Sequence, residues 1–234
     1  MDYRHELKYQ VSEGQLTVLG FRLKPLLLQD MHQDGDAYVI RSLYFDDFED
    51  SCMRGNEDGI DNRKKYRIRI YNGEDSVIKL EKKIKYRGMT RKISTEISVQ
   101  DCLTYMAGKV PNLRKNSSEL EKELYVKIKS EGLHPVSIVE YERTAFVEPR
   151  GNVRITFDRN ISGCEKIASF LDKKIPVVPL LPKGQHVLEV KYDELLPGYI
   201  SDVMDMGTLQ RCNFSKYYYA RNYKNFYEYE RIKE

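Results

Sequence analysis

RKKYRIRIY (63–71), Asn72-Gly73 and SVIKLEKKIK (76–85) decide the fold. Two alternating runs joined across an Asn-Gly pair are a strong hairpin signal. Side chains alternate across a strand, so residues two apart share a face about 6.7 Å apart. In the first run Arg63, Lys65, Arg67, Arg69 and Tyr71 share one face, and Tyr66, Ile68 and Ile70 form the apolar one. In the second run Lys79, Glu81 and Lys83 oppose Ile78, Leu80, Lys82 and Ile84.

Outward from this hairpin, strands are predicted over 3–10, 37–46 (AYVIRSLYFD), 90–98, 136–148, 152–158 (NVRITFD) and 186–194 (HVLEVKYDE). A helix is predicted from Ser12, as N-cap, to Leu28, with Leu16, Leu19, Leu23 and Leu27 as its apolar stripe and Pro25 disturbing its end. Helical spacing recurs over 99–107 and over 118–131, where Leu120, Leu124 and Ile128 align. Residues 195–206 read as a short helix, and a tyrosine-rich tail as a helix over about 215–232. Glu49 to Asn62 reads as a polar loop. About eight strands in hairpin order, with helices between and after them, indicate an α+β fold. Its antiparallel sheet is either open or closed into a barrel, in one domain over 1–234.

Composition excludes several classes. Among 234 residues there is no run near the ~18 apolar residues of a membrane span. The opening MDYRHELKYQ has no signal-peptide core. Eighteen Tyr and eight Phe supply a core that a disordered chain would lack. Cys52, Cys102, Cys164 and Cys212 form no C-x-x-C pair, which disfavours zinc knuckles and a disulfide framework and makes a reduced, cytoplasmic location the default expectation. The histidines show no metal-ligand spacing. The net charge of only +3 speaks against a nucleic-acid partner, so what matters is where the charges fall.

They fall in rows. Arg4, Glu6 and Lys8 oppose His5, Leu7 and Tyr9. Val187, Glu189 and Lys191 oppose Leu188 and Val190. Arg154, Thr156 and Asp158 oppose Val153, Ile155 and Phe157. Less cleanly, Tyr141, Arg143 and Ala145 are set against Val139, Glu140, Glu142, Thr144 and Phe146. On any single strand such a face is explained by solvent on a half-exposed sheet. The case for an inward lining is cumulative. Two guanidiniums ~6.7 Å apart repel by about 2–3 kcal/mol at an effective dielectric of ~20. Water and salt screen this on an open face but not inside an enclosure, where a bound polyanion would offset it. Glu6, Glu81 and Glu189 punctuate the rows, as suits a divalent ion held beside phosphates. The expected ligand is an elongated anion, most simply a chain of phosphates.

RHELKY (4–9), SLYFDD (42–47), RKKYRIRIY (63–71), KLEKK (79–83), YERTAF (141–146), RITFD (154–158), VLEVKY (187–192) and FSKY (214–217), in this order, resemble the VTC domain. This is the polyphosphate-polymerase module of the vacuolar transporter chaperone complex, one of the triphosphate tunnel metalloenzymes. The resemblance runs from about residue 2 to 220. It implies a closed antiparallel barrel of about eight strands around a tunnel, with flanking helices. It also implies synthesis of inorganic polyphosphate from ATP with Mn2+ or Mg2+. By resemblance, Lys8, Arg67, Arg69, Lys83, Arg143 and Lys216 are basic phosphate ligands, Tyr141 and Ser215 support them, and Glu189 binds metal. Alternation adds Lys79 and Lys191 to the binding set and Glu81 and Glu6 to the acidic one. Arg91 or Lys92 are candidates for one further basic ligand. The alternatives are a tripolyphosphate or nucleoside-triphosphate hydrolase on the same barrel, and a non-catalytic polyphosphate-binding module. The sequence has no adjoining phosphate-sensing domain and no membrane segment, so coupling to translocation would need a membrane-protein partner. The aromatic tail is expected to plug one barrel end or to meet a second copy as a homo-oligomer.

Overall fold

In the computed structural model, which describes residues 3–31, 33 and 35–223, the Asn72-Gly73 pair turns the chain with φ of 54° and 68°. Two consecutive left-handed residues match the twist of the flanking strands, which is why this dipeptide makes the hairpin. The elements in order are β1 (His5–Ser12), α1 (Glu13–Leu23), β2 (Leu28–Gln29), β3 (Tyr38–Asp46), α2 (Ser51–Glu57), β4 (Arg63–Tyr71), β5 (Glu74–Tyr86), β6 (Met89–Glu96), α3 (Val99–Met106), α4 (Glu119–Glu131), β7 (His134–Glu148), β8 (Val153–Cys164), β9 (Val178–Pro179), β10 (Gln185–Tyr192), α5 (Gly198–Met204) and β11 (Gln210–Arg211). A terminal helix occupies 216–223. The rest of the tail helix expected to residue 232 lies outside the described residues.

All strands join one antiparallel sheet in the order β11-β1-β10-β8-β7-β3-β4-β5-β6, with β2 added to β7 and β9 to β8. The expected closed barrel of about eight strands is corrected on both counts. The sheet has eleven strands, and it does not close. Among the described residues, the edge strand β6 is bridged to the β1 side by one isolated pair just before β1, Arg4–Thr90, with N–H···O distances of 2.8 and 2.9 Å. The free edge of β1 is already used: β11 pairs with Tyr9 and Gln10, and the Cys212 amide donates to the Lys8 carbonyl at 2.8 Å. The additional strands β2, β9 and β11 span two residues each, too short for alternation to reveal.

Other expectations shift locally. Ser12 caps α1 in a capping box with Gln15, but the helix stops at Leu23, two residues before Pro25. The polar loop 49–62 contains α2, whose first amides are collected by the buried Asp46 carboxylate: Cys52 N at 2.8 Å and Met53 N at 3.1 Å. The strand expected to end at residue 158 continues to Cys164.

Helices cover the sheet from outside. α3 and α4 bury Cys102, Tyr105, Leu120 and Leu124 against Tyr66, Ile68, Ile70, Ile78 and Leu80 of the hairpin. α1 and α5 bury Leu16, Leu19, Leu23, Ile200 and Met204 against Ile155, Phe157, Leu188 and Val190. Most apolar alternates therefore face a helix and most charged ones the inner face, but the division is not clean. Tyr38, Ile40, Tyr44, Val139, Ala145 and Val187 form an apolar cluster on the inner alternates together with Phe214 and Tyr217, and Arg41 is buried on the outer alternate of β3. The middle of the inner face is closed to solvent, with Arg69, Glu81, Arg143, Asp158, Glu189 and Lys216 buried, while Lys8, Lys83 and Lys191 are half-buried and Lys92 is exposed.

Candidate functional site

Strand register assembles the site. Across the β4–β5 ladder Lys65 opposes Lys83, Arg67 opposes Glu81 and Arg69 opposes Lys79. β3 sets Tyr44 beside Arg67 and Ser42 beside Arg69. On the other flank Arg143 opposes Asp158, Glu189 opposes Thr156 and Lys8, and Lys191 opposes Glu6. Val139 lies on the same face as Tyr141 and Arg143, facing Ser42, so the division expected over 139–146 is corrected at that residue.

One group is built on guanidiniums. Arg67 Nε donates to Glu81 Oε2 at 2.8 Å and its Nη1 to Tyr44 OH at 3.2 Å. Arg69 donates to Ser42 Oγ at 3.1 Å and Tyr141 OH at 3.2 Å. Arg143 makes a bidentate pair with Asp158, at 2.6 and 2.7 Å. Lys216, at the start of the terminal helix, reaches Asp158 at 2.5 Å and Glu189 at 3.0 Å. Tyr141 lies beneath the cations of Lys216 and Arg143, 4.7 and 5.2 Å from its ring centre. Burial would raise its phenol pKa, but Arg143, Arg69 and Lys216 outweigh that and lower it.

The second group is built on ammoniums. Lys83 Nζ reaches Glu6 at 2.6 Å, and Lys8 reaches Glu6 at 3.4 Å and Glu189 at 3.6 Å. Lys191 reaches Glu189 at 3.1 Å, and Lys8 also donates to the Phe214 carbonyl at 2.7 Å. Burial works against both carboxylates, yet Lys83, Lys8 and Lys191 hold Glu6 far below its ordinary range, and Lys191, Lys216, Lys8 and Arg143 do the same to Glu189. Burial would lower the Lys8 pKa, but Glu6 and Glu189 together raise it, whereas Lys83 has Glu6 alone as its ion-pair partner among the described residues. Burial, with Lys8 and Lys191 repelling, drops the Lys83 pKa to about 7.

The expected residues are therefore brought together, with three adjustments. Arg91 stands opposite Ile84 on the helix-covered side of β5–β6, whereas Lys92 stands opposite Lys83 and reaches Glu81 at 3.1 Å. Lys92 is the inward member of that pair. Glu81 is fully buried and held by Arg67, Arg69 and Lys92, so its oxygens serve cations rather than an open metal position. Ser215 caps the terminal helix, accepting from the Tyr218 amide at 3.3 Å, and also accepts from Lys65 at 3.1 Å. Lys79 lies at the far end of the ladder, 6.0 Å from the Tyr71 ring centre. Two inner residues were not singled out from sequence. Asp158 orients Arg143 and Lys216, and Lys65 lies beside Ser215. Both stand in the alternating rows, which was the available signal. Two buried hydroxyls on the inner alternates, Ser137 Oγ and Thr156 Oγ1, have no hydrogen-bond partner among the described residues, and Glu6 Oε1 has only the Lys8 ammonium at 3.4 Å.

A family model, the VTC domain, matches residues 3–223. The chain belongs to the VTC domain family. This VTC domain also resembles solved structures in fold. A putative adenylate cyclase from Bacillus halodurans superposes with a TM-score of 0.50 at 11% identity, over 87% of each chain. Another from Vibrio parahaemolyticus gives 0.49 at 12% identity, over 92% of this chain and 95% of that one. At such identities the likeness concerns the fold alone. A search of curated proteins returns no match. No helix among the described residues is long and apolar enough to cross a membrane, and all four cysteines are free thiols.

Proposed function

We propose that this VTC domain is a metal-dependent polyphosphate polymerase that transfers the γ-phosphate of ATP to the end of a growing inorganic polyphosphate chain. One observation carries the reading. Cations from β1, β4, β5, β7, β10 and the terminal helix converge on one face, outnumber the carboxylates there, and are buried at Arg69, Arg143 and Lys216. Like charges held out of water at this spacing cost the fold stability, and a chain of phosphates offsets that cost.

Glu6 and Glu189, which share the Lys8 ammonium, would hold a divalent cation in exchange for bound ammoniums, since Lys8, Lys191 and Lys216 reach Glu189 much as three cations reach Glu81. Hard oxygen donors suit Mg2+ or Mn2+, and Glu6 Oε1 is held only by the long 3.4 Å contact to Lys8. No cluster of three or more His, Cys, Asp or Glu suited to a metal occurs among the described residues. The remaining positions would fall to water and phosphate oxygens, as is usual for Mg2+. When bound, such an ion neutralises charge on phosphate oxygens.

The chain's own residues position the reactants. Arg67, Arg69 and Arg143 present planar forks matched to phosphate oxygens. Asp158, Ser42, Tyr44 and Glu81 fix their orientation before substrate arrives. A terminal phosphate oxygen of the acceptor attacks the γ-phosphorus in line, the bond to the bridging β–γ oxygen breaks, and ADP leaves. No covalent enzyme intermediate is required, because alignment and charge neutralisation supply the catalysis. Purified protein with ATP and Mn2+ is expected to yield long phosphate chains and ADP, with the rate falling about a hundredfold or more in Arg67→Ala. Orthophosphate in place of polymer would point to the hydrolase, and tight polyphosphate binding without turnover to the binding module.

A further inference from the structure

Lys65 differs from its neighbours on the inner face. Arg67 and Lys92 have Glu81, and Lys8 and Lys83 have Glu6, but Lys65 forms no ion pair among the described residues. Its ammonium donates to Asn56 Oδ1 at 3.2 Å and Ser215 Oγ at 3.1 Å, and lies 5.0 Å from the Tyr217 ring centre. All three are neutral, and its partner across the ladder is another lysine, Lys83. Burial first, then repulsion from Arg63, Lys83 and Lys8, lowers its pKa to about 7. A desolvated cation facing a second cation weakens a fold, so its presence is explained by something the fold alone lacks.

We propose that Lys65, with Asn56 and Ser215, forms an anion subsite at the Lys83 end of the basic row, and holds a phosphate of a chain that extends past Arg67. This rests on the polyphosphate reading above and extends it to a residue outside the expected ligand set. The Asn56 amide and the Ser215 hydroxyl each carry donors that can turn from Lys65 to a phosphate oxygen. Lys65 stands four residues from Arg69 along β4, roughly 13 Å. Arg67 lies between them, about 6.7 Å from Lys65, so a triphosphate gripped by Arg143, Arg69 and Arg67 ends at Arg67 and only a longer chain runs on to Lys65.

The test is equilibrium binding of inorganic tripolyphosphate and of long-chain polyphosphate to the parent, Lys65→Met and Lys65→Arg, with a melting temperature for each. Lys65→Met is expected to melt higher than the parent, to bind tripolyphosphate as the parent does, and to bind the long chain roughly tenfold more weakly. Lys65→Arg should restore long-chain binding. Equal loss for both probes, or no loss for either, overturns the subsite. A lower melting temperature in Lys65→Met makes the residue structural and also overturns it. If the parent binds neither probe, the polyphosphate reading itself falls, and the subsite with it.

Discussion

The two halves of the basic lining solve the same electrostatic problem differently. Around Arg67, Arg69 and Arg143, buried guanidiniums are matched to the buried acids Glu81 and Asp158, and tyrosine and serine hydroxyls fill remaining donor directions. Around Lys8, Lys65, Lys83 and Lys191, ammoniums share Glu6 and Glu189 or, for Lys65, have no ion-pair partner among the described residues. Guanidiniums stay charged at any working pH and hold a fixed fork, whereas ammoniums are point charges whose protonation responds to surroundings. The first half is a rigid grip set before substrate arrives. In the second, Lys65 and Lys83 are under-compensated, with both pKa values lowered to about 7, while Lys8 is held charged by Glu6 and Glu189. A polymerase that fixes one nucleotide while a chain slides past has use for both.

The sharpest way to break this contrast is to remove an acid from the arginine half. Asp158 is fully buried and pairs with both Arg143 and Lys216. Asp158→Asn should cost about 3–5 kcal/mol, since it leaves buried cations uncompensated. Adding Arg143→Met should return part of that loss. Denaturant midpoints measure both. A loss below about 1 kcal/mol would mean that the arginine half is no more rigidly matched than the lysine half.

A smaller effect lies in pH. The folded-state pKa of Lys65 is lowered to about 7, below that of an unfolded lysine at about 10.4. Between these values the unfolded chain binds more protons, so stability rises with pH. The groups facing Lys65 are Arg63, Lys83 and Lys8, which repel it, and the Cys52 thiol, which attracts it weakly. Burial, with Asp46 adding to it for Cys52 and Asp75 for Cys102, pushes both thiols up to about 12. Lys83, lowered to about 7 as well, adds an equal slope. Unfolded thiols ionise from about pH 8.5, so the rise levels off above it. Between pH 7 and 8.5 the parent should therefore gain about 2–3 kcal/mol, and Lys65→Met about half of that. Identical slopes in the two proteins would remove the protonation argument from the lysine half.

How far these halves were legible from residues alone follows from the range of the forces involved. Alternation over nine residues between an Asn-Gly turn and a basic row is local, and it placed Lys65, Arg67, Arg69, Glu81 and Lys83 on one face without help from the rest of the chain. α2 was missed because its seven residues include one that is buried, Gly55, its N-cap Asp50 makes no side-chain cap bond, and the carboxylate that accepts its first amides, Asp46, lies outside it on β3. The open edge was missed because β11, which occupies β1, is two residues long. Choosing Lys92 over Arg91 depends on the turn at Arg87-Gly88, whose φ values of 49° and 75° set the β5–β6 register. A slip of one residue there exchanges the two faces. Asp158 lay in plain view beside Thr156, but only the partner strand shows that it orients Arg143.

The mildest test asks whether any lysine behaves as part of the arginine half. Lys92 reaches Glu81 at 3.1 Å, yet its side chain is 53% exposed, whereas Glu81 is fully buried. Burial would raise the Glu81 pKa, but Arg67 and then Arg69 outweigh it before Lys92 contributes, and they hold the carboxyl well below its usual range. Removing Lys92 leaves that acid charged and still paired, and the lost interaction is one that water screens. Lys92→Gln should therefore cost less than about 1 kcal/mol in a denaturant titration, the ordinary worth of a solvent-exposed ion pair. Its polyphosphate affinity should fall mainly at low salt, as expected of an exposed positive charge. A cost of several kcal/mol would instead show that Glu81 depends on all three cations, and that the matched network of the arginines extends across β5 to the edge of the sheet.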